Sequence, residues 1–202
     1  MDTTRVVVDS HSDAITVITM DGPARRNAMA GSTMADLGSA FRAAADDNRV
    51  RAVVVTGAGG FFSAGADAYF LAPFTQRGLV PDGGSAWFLT RAIGPQRAAE
   101  LLMLPDRLPA ARAEALGLVN RVVPTGTALA EALQLARRLV EGAPDALSLT
   151  KRLLAMAERT PSYRDFLDQE WATAALAMHG PDVVEGRTAF IEGRAPNFNR
   201  PQ

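Results

Sequence analysis

The chain contains no cysteine, which excludes a disulfide framework, a thiol nucleophile and a thiolate metal site, and is compatible with a reducing compartment. Aromatic residues are sparse, at 6%, and the 2 histidines, His11 and His179, have no neighbouring acidic pattern of the kind a triad or metal site needs. Both read as structural or solvent-facing. No charge of one sign dominates: 21 basic residues stand against 22 acidic ones, with no long run of either. Neither nucleic acid nor a membrane surface is therefore indicated as a partner. No apolar run approaches the roughly 20 residues of a membrane helix. The start, MDTTRVVVDSHSD, lacks a basic segment followed by an apolar core. The expectation is a cytoplasmic globular protein with no metal and no resident cofactor.

What is present is enough apolar material for a sizeable core: 48% hydrophobic in 202 residues. Strand-like runs at residues 5–9 and 14–20 flank a polar stretch and predict a hairpin. Asp21-Gly22-Pro23 breaks the second run, and Ser32 is placed to cap a helix over 32–47, where Met34, Leu37, Ala40, Phe41 and Ala44 share one face. Strand, loop, helix, strand is an α/β alternation. Helices are predicted over 85–92, 95–103 and 109–116, then a strand over 118–123 closed by Pro124. Four helical segments follow, over 127–141, 144–158, 162–178 and 181–192, broken at Gly142-Ala143, Thr160-Pro161 and Gly180-Pro181. The division expected is an α/β core over 1–124 and a helical region over 125–202.

The chemistry is concentrated in VVVTGAGGFFSAGADAYFLAPFTQRGLVPDGG, from Val53 to Gly84. A β-branched run stops at Gly57, Gly59 and Gly60, a cluster that lets something approach the backbone. In Ser63-Ala64-Gly65-Ala66-Asp67 small side chains leave amides accessible, which is how an oxyanion site is built from backbone. Asp82, between Pro81 and Gly83-Gly84, is a candidate base; its alternative role is to cap the helix that follows. Gly57-x-Gly59 has no third glycine opening a helix, so a nicotinamide site is not supported.

SAGAD after VVVTG, then GLVPDGG with FLTRAIG, ARAEALGLVNRVVP and FIEGRAPNF, resembles the crotonase family, also called enoyl-CoA hydratase/isomerase, in family order from about Val6 to Phe198. The resemblance implies a crotonase-like (ClpP/crotonase) α/β spiral core with a C-terminal helical oligomerisation region, a homotrimer or hexamer, and an acyl-CoA thioester as substrate. It departs in one respect. Full-length members carry a helix, a strand and a second glycine-rich turn after SAGAD, whereas here Asp67 runs almost directly into Ala68 and Tyr69. Carried over residue by residue, the resemblance assigns the first oxyanion amide to Ala66 and leaves the second without a residue, unless Gly83 or Gly84 supplies it. Arg25 and Arg26 would meet the coenzyme A phosphates, the backbone at Ala28 the adenine, and Ala64 and Asp67 the surrounding turn. Each has a bland alternative: solvated arginines at the surface, and a local turn contact for Asp67.

Phe74 stands where the resembled hydratases place a glutamate and cannot transfer a proton, so isomerisation is favoured over hydration. An isomerase needs one group, which takes a proton from one carbon and returns it to another. Asp82 would need partial desolvation for that, which Leu79, Val80 and Trp87 are placed to provide; Leu79 and Trp87, with Phe74, are the candidate acyl pocket. For Trp87 the core is the more common place for such an aromatic. The alternative function is a catalytically impaired relative that binds acyl-CoA or assists oligomer assembly.

Overall fold

The computed structural model describes residues 4–12, 14–29, 31–60 and 69–198, with the side chain of Arg25 also outside the description. Strands β1 (Arg5–Ser12), β2 (Ile15–Asp21) and β3 (Ala52–Gly57) form a sheet in the order β1-β2-β3. The central strand, β2, is almost wholly buried, which its β-branched residues Ile15, Thr16, Val17, Ile18 and Thr19 suit. Helix α1 (Gly31–Asp46) connects β2 to β3. The Ala14 carbonyl accepts from the amide of Ala52, and the Met20 carbonyl from that of Ala58. The two contacts advance together along both chains, so β2 and β3 run parallel, as a helical crossover requires.

The hairpin is tighter than the sequence suggests. β1 extends to Ser12, so His11 lies in a strand rather than a turn, exposed, with its Nε2 3.2 Å from Nη2 of Arg137. Ser32 lies inside the first turn of α1 instead of capping it. The start of that helix is tied down by Thr33, fully buried, whose hydroxyl donates to the Thr4 carbonyl at 3.0 Å.

A second, two-stranded sheet joins β4 (Tyr69–Phe70) antiparallel to β5 (Leu108–Pro109), with Tyr69 opposite Pro109. Helices α2 (Ser85–Ile93) and α3 (Pro95–Met103) turn about Gly94, and α4 (Ala110–Ala115) follows β5. Ile93, Ala98 and Leu101 form a small core onto which Leu89, Leu108, Leu116 and Leu118 pack. The strand expected over 118–123 is not formed. The Leu118 amide bonds the Ala113 carbonyl and that of Val122 bonds Oε1 of Glu114, so these donors are spent locally rather than in a ladder.

The four C-terminal helices are α5 (Ala128–Val140), α6 (Pro144–Ala157), α7 (Tyr163–Ala177) and α8 (Pro181–Glu192), within a residue or two of their expected limits. Proline at the start of α6 and α8, where its missing N–H costs nothing, and the Ser162 hydroxyl accepting from the Asp165 amide mark the starts. Glu185 of α8, largely buried, accepts from Arg194 at 2.6 and 3.2 Å and from the Asn197 amide at 2.7 Å, folding the tail back onto its helix. The hydrogen bonds from Arg194 to Glu185, with a further one to Glu192, raise the pKa of Arg194 above its ordinary value. Among the described residues no helix is long and apolar enough to cross a membrane.

Two compact units divide the chain. One comprises Met1–Val7, Thr19–Leu37 and Val55–Ala132; the other comprises Val8–Ile18, Gly38–Val54 and Leu133–Gln202. Every candidate site residue among those described belongs to the first.

Candidate functional site

The loop after β2 begins with a 3₁₀ turn at Pro23–Arg25 and then places Arg26 and Asn27 in the left-handed region, at φ 53° and 54°. Asparagine tolerates that region better than most residues, and here its side chain also repays the strain. Asn27 is buried; its Oδ1 accepts from the Gly22 amide at 2.9 Å and its Nδ2 donates to the Ala58 carbonyl at 2.9 Å. One side chain thereby holds both ends of the loop and fastens it to the end of β3. The Thr4 hydroxyl adds a bond to the Ala28 carbonyl at 2.8 Å. Ala28 and Arg26 are exposed on this frame. Asn27, Thr4 and Thr33 were not foreseen from the sequence. The one available signal was an asparagine in the loop that follows the Gly22-Pro23 break.

Within the glycine cluster after β3, Gly59 does a different job from the one expected. A Cβ on Gly59, at φ 70°, would lie 2.3 Å from Cβ of Pro23, so the missing side chain makes room for the loop rather than for a ligand. Ala64, Ala66 and Asp67 lie outside the described residues.

Asp82 occupies an exposed turn. Gly83 and Gly84 follow at φ 60° and 80°, and α2 starts at the next residue. The contact that opens the helix is made by the Asp82 carbonyl, which accepts from the Ser85 hydroxyl at 2.6 Å and the Ser85 amide at 3.0 Å; no side chain caps α2. The carboxylate and the amides of Gly83 and Gly84 have no hydrogen-bond partner among the described residues. The expected desolvation is not supplied by the named neighbours: Val80 is 81% exposed, and Leu79 and Trp87 are each 56% exposed. Trp87 is therefore not core. It lies flat beneath the Arg91 guanidinium, 3.2 Å from the ring centroid, a cation–π contact at the surface.

An apolar cavity of about 410 Å³ adjoins this turn, lined by Leu79, Val80, Pro81, Ala86, Ala99 and Leu102 among others. Leu79 is thus at a cavity, whereas Phe74 and Trp87 are outside its lining. Phe74 is half-buried and precedes a 3₁₀ turn at Thr75–Arg77, its carbonyl accepting from the amides of Arg77 and Leu79. A smaller cavity, about 220 Å³, is lined by both signs of charge, with Arg97, Arg107 and Arg112 beside Glu100 and Asp106, and contains none of the expected site residues.

The architecture is that of the crotonase fold. A crystal structure of a probable enoyl-CoA hydratase/isomerase from Mycobacterium abscessus superposes with a TM-score of 0.90 at 29% identity, covering 98% of this chain and 98% of that one. The family model described as enoyl-CoA hydratase/isomerase matches residues 10–69 and 66–201, and this chain belongs to that family. A Thermus thermophilus relative named "Putative enoyl-CoA hydratase" is 30% identical over 246 aligned positions, covering 91% of this chain and 97% of its own. The 1,2-epoxyphenylacetyl-CoA isomerase of Escherichia coli is 36% identical over 152 positions, 72% of this chain and 58% of its own. The family match falls in two pieces that meet at 66–69, and the Thermus alignment has more positions than this chain has residues. The relatives therefore carry a segment for which this chain has no counterpart.

Proposed function

We propose that the chain binds an acyl-CoA thioester and isomerises its double bond, with Asp82 as the proton shuttle. The observation that carries this reading is the turn Pro81-Asp82-Gly83-Gly84, which presents one carboxylate and two unengaged amides beside an apolar cavity of about 410 Å³, a size suited to a small ligand. In the proposed reaction the thioester oxygen takes up the charge of an enolate, held by the Ala66 amide and by Gly83 or Gly84 in place of the turn the relatives carry elsewhere. Asp82 removes a proton from one carbon and returns it to another as the double bond shifts; no water is added and no redox partner is needed. Arg25 and Arg26 meet the coenzyme A phosphates, with Ala28 at the adenine. The 36% identity to an isomerase supports this side of the family, while the Thermus relative carries a hydratase name.

A second reading is favoured by one feature: Asp82 and its apolar neighbours stand in solvent, so nothing named around the carboxylate shields it from water. On that reading the chain binds acyl-CoA or assists assembly without turnover. Calorimetric titration with an unreactive acyl-CoA analogue, followed by an isomerase assay, separates the two. The first predicts saturable binding weakened by joint replacement of Arg25 and Arg26, and an Asp82→Asn variant that still binds but loses about 10²- to 10⁴-fold in turnover. Binding without turnover in the wild type leaves the second reading. No binding by the folded chain ends both acyl-CoA readings.

A further inference from the structure

We propose that the charged cavity of about 220 Å³ binds a small apolar α-amino acid, its carboxylate held by arginines, its ammonium by carboxylates and its side chain by an apolar floor. The cavity lies within one compact unit, across α3 from the apolar cavity described above. Arg97, Glu100 and Leu101 line the charged one, Ala98, Ala99 and Leu102 the apolar one, and no residue lines both. The floor belongs to the small core: Ile93 and Leu101 are buried, Leu108 and Leu116 half-buried. A volume of about 220 Å³ suits a ligand of few atoms, since an apolar cavity of roughly 150 Å³ holds benzene. Around the floor stand Arg97 and Glu100 on α3, Asp106 and Arg107 before β5, and Arg112 on α4, all five exposed. None of these side chains makes a hydrogen bond or ion pair with another described residue; only Arg107 is engaged, over the Tyr69 ring at 4.5 Å from its centroid. Both signs of charge are thus left with bonding capacity unused. A guanidinium fork matches a carboxylate, and carboxylate oxygens accept from an ammonium. A plain anion would leave Glu100 and Asp106 facing its charge, whereas a zwitterion answers both signs. The acyl-CoA reading uses none of these residues, so the inference goes beyond it.

The test is ligand-observed saturation-transfer NMR on the full chain, titrated with L-leucine, and the expected result is saturable binding. Two analogues each remove one charge: isocaproate lacks the ammonium and isoamylamine lacks the carboxylate. Each should bind about tenfold or more weakly than leucine, the scale of a lost charge-assisted hydrogen bond. Joint replacement Arg97→Gln with Arg112→Gln, and separately Glu100→Gln with Asp106→Asn, should weaken leucine binding to a similar degree. The circular dichroism spectrum should not change, because these exposed side chains bond no other part of the described chain. No saturable signal with leucine, or undiminished binding by either double variant, overturns the proposal. Isocaproate binding as tightly as leucine overturns it in favour of a plain carboxylate site, and displacement of leucine by an unreactive acyl-CoA analogue overturns it in favour of an extension of the acyl-CoA site.

Discussion

Asn27 concentrates three jobs in one residue: a left-handed backbone, a bond to Gly22 and a bond to Ala58. Replacing it with alanine leaves a part-buried amide and a part-buried carbonyl without these partners and puts a Cβ-bearing residue with no compensating contact at φ 54°. Asn27→Ala should therefore cost about 2 to 4 kcal/mol, combining lost hydrogen bonds with backbone strain. Asn27→Gly, which relieves only the strain, should cost less. Urea unfolding of both variants measures the difference; equal losses would assign the whole effect to the side-chain bonds. The loop bearing Arg26 and Ala28 is set by this residue, so the same variants should weaken acyl-CoA analogue binding if the proposed phosphate contacts are right.

The elements separate into those that close their own polar accounts and those that borrow. Helices α6 and α8 begin at prolines and α7 at a serine cap, and their limits follow from local chemistry. The segment after α8 borrows from Glu185, whose carboxylate takes hydrogen bonds from Arg194 and Asn197 across a turn at Gly193. Glu185→Gln removes the charge and one acceptor, so the tail should release from α8 while the helix itself persists. Hydrogen exchange should show earlier labelling over 194–198 with little change over α6; unchanged exchange in the tail would mean that its other contacts suffice. The FIEGRAPNF motif in the sequence is thereby explained as the frame of a tail clasp. The two consecutive positive-φ glycines before α2 serve a different end, presenting Asp82 at a turn with the helix start satisfied by its own carbonyl.

At the scale of the molecule, large apolar side chains stand in solvent on the C-terminal helices: Phe190 and Ile191 are 86% and 81% exposed, and Trp171 74%. Burying such surface against another copy gains about 25 cal/mol per Å² of apolar area before the costs of association, and those costs decide how far it proceeds. The chain should therefore sediment with a mass above that of one copy, falling towards the single-chain value when Phe190 and Ile191 are both changed to serine, with helix content retained. A wild-type chain that stays single at high concentration would show that these residues are tolerated in water. The expected trimer or hexamer is one outcome of this experiment.

Hydrophobic period, proline and glycine punctuation, and the ordered run of motifs are local properties, and they carried the α/β alternation, the limits of α5 to α8 and the family. The turn at Asp82 was also legible, because proline, aspartate and two glycines in a row are turn chemistry, with both glycines in the left-handed region. What local sequence could not carry was anything set by residues far apart in the chain. Gly59 faces Pro23, Asn27 reaches Ala58, Thr33 reaches Thr4, and Glu114 takes the amide that a strand over 118–123 would have needed. Exposure belongs to the same class. Trp87, Leu79 and Val80 read as cover for Asp82 because apolar side chains seek burial, yet burial requires a partner surface. Whether such a surface is present is decided by the tertiary structure, where the segment that the relatives carry at 66–69 has no counterpart.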